Sequence, residues 1–238
     1  DSFFYSNNYL SLPDGDVLIH LGESSNRGLV NLAGKKAYLD NQKVIRHINE
    51  KKYSKVIYGS SAAIYGDKSS NPIKEIEKII PTDNYSKIKL FSEEMLNHSN
   101  NIILRLSNVY GIGMSKENVI SDILSQINQR GPILLKNLIP IRDFIYIDDV
   151  VDVILIAIKS NQKGIFNIGS GTSTSIGALA KKILNISKQP HREIDSEYKD
   201  PTLQSNISID ITHICNIMSW KPRTDLKQGL SKIFFSEK

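Results

Sequence analysis

Cysteine is almost absent from this chain: Cys215 is the only one in 238 residues, which argues against a disulfide framework. No apolar run approaches the ~18 residues of a membrane helix. Val150 to Ile158 is the most apolar stretch and is too short to cross a bilayer. No signal peptide is visible. The five histidines (His20, His47, His98, His191 and His213) form no ligand-spaced pair, so no metal site is assigned. The net charge of +5 comes from scattered lysines, with no arginine-rich stripe and no basic patch interleaved with aromatics. A nucleic-acid partner is therefore not expected, whereas an anionic small ligand suits the charge. At 40% hydrophobic and 23% charged the composition is ordinary for a soluble globular chain of one large domain or one and a half. The expectation is a cytoplasmic protein with no membrane contact.

What the sequence does contain is Tyr85-Ser86-Lys87-Ile88-Lys89. Ile88, Phe91 and Met95 recur at helical spacing, and Pro81 and Asp83 suit a turn into the helix. Residues four apart share a helix face, so the Lys89 ammonium can reach the Tyr85 phenol. A free tyrosine titrates near ~10, and each unit of downward shift needs ~1.4 kcal/mol of preference for the phenolate. A nearby cation acts in that direction. Alone, the pair reads more simply as a solvated lysine beside a half-buried tyrosine.

Upstream, Lys55-Val56-Ile57-Tyr58-Gly59-Ser60-Ser61 reads as a short buried strand ending in two hydroxyls, running on through Ala62-Ala63-Ile64-Tyr65-Gly66. The carboxyl ends of parallel strands are where open α/β sheets place their ligands. A strand-end serine followed by Tyr-x-x-x-Lys on a helix resembles the short-chain dehydrogenase/reductase superfamily. The flanking residues resemble its extended branch, the NAD-dependent sugar-nucleotide epimerases and dehydratases. The resemblance implies Ser61, Tyr85 and Lys89 as the catalytic residues, with Tyr85 and Lys89 also touching the cofactor.

Asp16-Val17-Leu18-Ile19-His20-Leu21 resembles the family's fourth Rossmann strand. The resemblance implies cofactor contacts at Leu21, Gly22 and Ser60, with Asp1 as the acidic residue ending the third strand. The family precedes this strand with a glycine-rich βαβ unit of ~30 residues. Only 15 residues precede Asp16, and no such fingerprint occurs in the chain. The native protein is therefore expected to begin upstream of Asp1 with a strand and a glycine-rich turn. From Glu23 to Asn41 the match is poor, and no asparagine can be carried over.

Further along, Arg105-Leu106-Ser107-Asn108-Val109-Tyr110-Gly111 is similar to R-x-x-N-V-Y-G, implying a substrate contact at Asn108. Asn118-Val119 resembles the family's pair against the nucleotide diphosphate, although Asn118 reads equally as a plain helix N-cap. Arg142-Asp143-Phe144-Ile145-Tyr146-Ile147-Asp148-Asp149-Val150 resembles R-D-F-I-x-V-D-D-V, whose arginine holds the pyrophosphate by forked hydrogen bonding. Asp148 and Asp149 read as helix-start residues. In Phe166-Asn167-Ile168-Gly169-Ser170-Gly171 the glycines serve a strand-to-helix turn more simply than a phosphate site. Arg192 or Lys199 would stand in for the family's second phosphate arginine.

The expected fold is α/β: a Rossmann-like doubly wound parallel sheet, truncated at its N-terminal start, with a smaller C-terminal substrate-binding region. Residues 1–111 form the NAD-binding part and 112–238 the substrate part, with about 142–170 returning to the first sheet. The expected activity is 4-epimerisation of a UDP-hexose with NAD recycled in each turnover, by a homodimer. Family dehydratases follow the catalytic hydroxyl with Asp-Glu, and here Ala62-Ala63 follow Ser61. A reductase, dehydratase or decarboxylase of the family is the alternative, as is a non-catalytic NAD(H) or nucleotide-sugar binding protein.

Overall fold

The computed structural model describes residues 12–67, 71–98, 100–198 and 205–236. In chain order the elements are β1 (Val17–His20), α1 (Arg27–Ala33), α2 (Lys35–Glu50), β2 (Lys55–Ser61), α3 (Asn84–Leu96), β3 (Ile102–Leu106) and β4 (Asn108–Tyr110). They continue with α4 (Val119–Gln126), β5 (Ile133–Leu135), β6 (Ile141–Tyr146), α5 (Ile147–Lys159), β7 (Gly164–Ile168) and β8 (Ser173–Ser175). The last are α6 (Ile176–Ile186), β9 (Ile194–Ser196), β10 (Asn206–Ile207), α7 (Thr212–Met218) and α8 (Leu226–Ser236).

Four strands pair in the order β1-β2-β3-β7, every pair parallel. Parallel neighbours need crossovers, and here helices make them and cover both faces. Side chains alternate along each strand, which fixes the register: Val56, Tyr58 and Ile103 meet Ile45, Ile48 and Leu96 of α2 and α3 on one face. Ile57, Ile102, Leu104 and Phe166 meet Val150, Val153, Ile154 and Ala157 of α5 on the other, with Trp220 packed in the same cluster. Burying each such aliphatic side chain is worth about 1.5–3 kcal/mol. This is a Rossmann-like doubly wound sheet.

The second unit is built on β6, which lies between β10 and β4 and also pairs antiparallel with β8; β5 and β9 form a separate pair. Ile120, Ile123 and Ile127 of the α4 region pack there against Ile176, Leu179, Ala180, Ile183 and Leu184 of α6. Those five α6 residues are the ones whose spacing marks the inward stripe, and Ser175 caps that helix. The return of the chain to the first sheet is narrower than 142–170: β6 stays in the second sheet, and the return begins with α5 and is completed by β7. The reason is pairing, since β6 has neighbours on both edges in the second sheet. Among the described residues no helix is long and apolar enough to cross a membrane.

Asp149 does more than complement the dipole of α5. Its buried carboxylate accepts from the backbone N–H of Arg223 (2.8 Å) and Thr224 (3.1 Å), tying the approach to α8 onto the start of α5.

Candidate active site

A cleft of about 740 Å³ opens at the C-terminal ends of β1, β2 and β3 and reaches across to Arg142 of β6. Open parallel sheets bind ligands at this position. Gly59 brings two of the walls together: a Cβ there would lie 2.7 Å from Leu21 Cδ2.

Tyr85 and Lys89 face this cleft because of how α3 starts. Asp83 is the N-cap, its carboxylate accepting from the Ser86 N–H (2.9 Å), while Ser86 Oγ accepts from the Asp83 N–H (3.2 Å). Arg27 Nε (2.5 Å) and Asn31 Nδ2 (2.9 Å) also donate to Asp83. Burial raises this carboxyl, but the Ser86 amide, Arg27 and Asn31 outweigh it and hold it well below the usual carboxylate range. Asn31 Oδ1 in turn accepts from the Tyr85 N–H at 2.9 Å. The helix start carrying Tyr85 is therefore tied to α1.

Lys89 is not a solvated lysine. Its side chain is 7% exposed, and Nζ donates to Gly59 O at 2.8 Å and pairs with Glu23 Oε2 at 2.9 Å. Nζ stands 5.1 Å from the Tyr58 ring centroid and 6.0 Å from that of Tyr85. Glu23 also accepts from Tyr58 Oη (2.6 Å) and Ser92 Oγ (2.7 Å), with His20 Nε2 at 3.7 Å. Burial raises the Glu23 carboxyl; Lys89 and the His20, Tyr58 and Ser92 hydrogen bonds more than offset this and bring it to about 2. Burial and that carboxylate push the Tyr58 phenol well above its ordinary value. Glu23 escaped the sequence reading because it lies where the family match is poor. The available signal was physical: a lysine facing the core needs a counter-charge, and Glu23 sits just past a strand end.

Ser61 ends β2 and lines the cleft. Its Oγ accepts from the Ala63 N–H at 3.2 Å, which leaves the hydroxyl proton to donate toward a ligand. Ser60 also lines the cleft, while its hydroxyl donates to Glu93 Oε1 on the core side. Glu93 pairs with Arg105 through Nε (3.1 Å) and Nη2 (2.7 Å), and Arg105 Nη1 donates to Tyr65 Oη (2.8 Å). Strand alternation turns the Ser60 and Ser61 hydroxyls to opposite faces of β2.

Leu21 is 53% exposed and lines the cleft; Gly22 follows it but is not itself a lining residue. Asp1 lies outside the described residues, as does Lys199. Asn108 is exposed on the cleft wall. Asn118 caps α4: Oδ1 accepts from the Ile120 and Ser121 N–H groups, both at 3.0 Å, and Nδ2 donates to Ser115 O. Val119, expected at the substrate, packs against the second core instead and does not line the cleft.

Arg142 borders the cleft with Nη1 donating to Ile141 O (2.8 Å) and Ser205 O (2.9 Å), and Nη2 3.7 Å from Asp67 Oδ1. Burial draws its pKa below the usual arginine value, with Asp67 opposing and Arg27 adding to the effect. Arg27 lines the same cleft. Two guanidiniums thus face one space, an arrangement that favours an anion. The turn at 169–171 is closed to such an anion, since the Ser170 and Gly171 N–H groups donate to Asp143 at 2.7 and 2.8 Å. Burial raises the Asp143 carboxyl despite those bonds. Arg192 is far from a phosphate role: Nε donates to Gly131 O (2.7 Å) and Nη1 to Ile127 O (3.0 Å), outside the cleft lining.

The walls at Leu21, Gly59 and Lys89 fit the nicotinamide ribose end of a dinucleotide, because an apolar face and a lysine donor meet there. Residues 8–169 match the profile of the NAD dependent epimerase/dehydratase family. The chain is 29% identical over 204 residues to the dTDP-4-dehydro-6-deoxyglucose reductase of Escherichia coli, covering 80% of this chain and 64%, less than two thirds, of that protein. It is 28% identical over 241 residues to a putative UDP-glucose 4-epimerase of Methanocaldococcus jannaschii, covering 94% of this chain and 77% of that one. The UDP-glucose 4-epimerase of Thermotoga maritima, solved with UDP-glucose, superposes with a TM-score of 0.83 at 21% identity, over 93% of this chain and 77% of that one. That likeness is one of fold. The profile match spans most of the chain and covers both the strand-end serine and the Tyr-x-x-x-Lys helix, and on it this protein belongs to the NAD dependent epimerase/dehydratase family.

Proposed function

We propose that this protein is a nucleotide-sugar 4-epimerase acting on a UDP-hexose. The observation that carries the reading is that, among the described residues, no free carboxylate stands beside the Ser61 hydroxyl. Ala62 and Ala63 follow Ser61 on the cleft wall and cannot move a proton. The carboxylates that line the cleft are engaged: Glu23 with Lys89, Tyr58 and Ser92, and Glu117 with Asn26. Among the described residues, the cleft therefore offers no carboxylic acid and carboxylate pair beside Ser61 for water removal of the dehydratase kind.

In this reading Tyr85 takes the proton of the sugar 4-hydroxyl, and Ser61 donates to the same oxygen. Lys89 holds the ribose side of the cofactor and carries the charge beside Tyr85. NAD held beside Leu21, Gly59 and Lys89 would supply the hydride chemistry at C4. Arg142, with Arg27 across the cleft, holds the diphosphate, and Asn108 contacts the substrate. Tyr85 would return the proton to the same oxygen when the sugar presents its other face. A homodimer would use the outer face of α2 and α3, where Tyr38 and Phe91 border a shallow groove.

The similarity to the Escherichia coli reductase favours a second reading, a sugar-nucleotide reductase. Product analysis in heavy water separates the possibilities. An epimerase yields a product of unchanged mass with no solvent deuterium on carbon and no net consumption of reduced cofactor. A dehydratase loses water, and a reductase consumes one NAD(P)H for each sugar.

A further inference from the structure

Glu23 is a buried carboxylate set against the Tyr85–Lys89 pair, and the chemistry described above does not use it. It lies 2.9 Å from the Lys89 ammonium. Lys89 is held on its other side by Gly59 O, and the Tyr85 ring stands 6.0 Å from its Nζ. The other charged or titratable groups around this centre come from four elements. His20 ends β1, Tyr58 is on β2, Glu93 is on α3, and Arg27 of α1 meets Asp83 at the helix start. Glu93 is matched by Arg105, and Asp83 by Arg27. Glu23 is the carboxylate whose charge bears directly on the pair.

We propose that Glu23 is a positioning residue that sets the proton affinity of the Tyr85–Lys89 pair, pinning the ammonium beside Gly59 and opposing loss of the pair's first proton. This rests on the reading of Tyr85 as the acid and base of the reaction. The effect is the same whichever partner gives up the proton. An adjacent anion favours the more positive form of either group, and the step belongs to the pair. Glu23 therefore trades readiness of the base for a fixed ammonium, and its neutral isostere should release that brake.

The test is Glu23→Gln in the intact protein, with two readouts that a merely structural role leaves in place. One is the acid limb of kcat against pH. The other is the phenolate absorbance that depends on Tyr85, taken as the difference from the same protein carrying Tyr85→Phe. Both should move to lower pH by about one unit. A lower kcat or melting temperature with both profiles unmoved overturns the proposal, and so does a shift to higher pH. Should Glu23→Gln not fold, Glu23→Asp, with the carboxylate drawn back by one methylene, should give a smaller shift of the same sign; no shift there also refutes it. If the wild-type protein turns over no sugar nucleotide, the functional reading fails, and the phenolate difference alone decides the role of Glu23.

Discussion

Replacing Glu93 by Gln isolates the charge at the centre of the buried network that Ser60 joins. Glu93 and Arg105 are each 2% exposed and joined by Nε and Nη2 hydrogen bonds, with Ser60 on the same carboxylate. Gln keeps the shape but leaves the Arg105 guanidinium buried without a counter-ion. Breaking a buried pair from one side costs about 3–5 kcal/mol. That is a large part of the ~5–15 kcal/mol that stabilises a folded domain. Replacing both partners, Glu93→Leu with Arg105→Met, should recover most of the loss, because no buried charge remains. The assay is urea unfolding at fixed pH, comparing midpoints at constant slope across both single variants and the double. A loss under about 1 kcal/mol for Glu93→Gln at unchanged slope would refute the reasoning. It would mean that Tyr65 Oη and Glu75 O, the other acceptors of Arg105, suffice.

Tyr85→Phe should lower turnover by about 100- to 10,000-fold while leaving cofactor and nucleotide-sugar affinity nearly unchanged, as checked by steady-state kinetics and calorimetry. Ser61→Ala should be milder, since it removes a positioning hydrogen bond and not the base. Arg142→Lys keeps the charge but loses the fork, so sugar-nucleotide affinity should fall clearly in calorimetry while the melting temperature stays within a few degrees. Glu23 should contribute to acid stability. Its carboxyl is lowered from 4.5 to about 2, so its contribution is present above pH 4.5 and is lost as pH falls through about 2. The shift corresponds to roughly 3 kcal/mol. Glu23→Gln should flatten the pH dependence of urea stability in that window, and an unchanged slope would contradict it.

The fold was legible wherever periodicity reports burial. The α6 stripe and the helix opening at Tyr85 can be read directly because one face of each meets a core, and β2 reads as a continuous buried strand because both of its faces are covered. The meeting of Ser61, Tyr85 and Lys89 at one cleft follows from a strand end and a helix that packs on it. What the sequence concealed are contacts between polar residues far apart in the chain. The turn at 169–171 gave no sign that Asp143 fills its amides, and Asp149 gave none that it anchors residues 223 and 224. Ser60 lines the cleft as the resemblance implies, but nothing in its local pattern shows that its hydroxyl is spent on Glu93. Glu23 was missed because nothing in its local pattern marks it; its meaning comes from Lys89, which reaches it across β2.

The central claim is interconversion of C4 epimers with no net redox change, driven by Tyr85. The measurement is incubation of the intact protein and NAD with UDP-glucose, and separately with UDP-galactose, in the absence of any reductant. Products are resolved by chromatography, with Tyr85→Phe run alongside. The account predicts that either sugar nucleotide gives the same final mixture of the two, and that the variant gives neither conversion within the same time. Wild-type rates from Tyr85→Phe, or a tightly bound sugar nucleotide that stays unconverted under all these conditions, would contradict it.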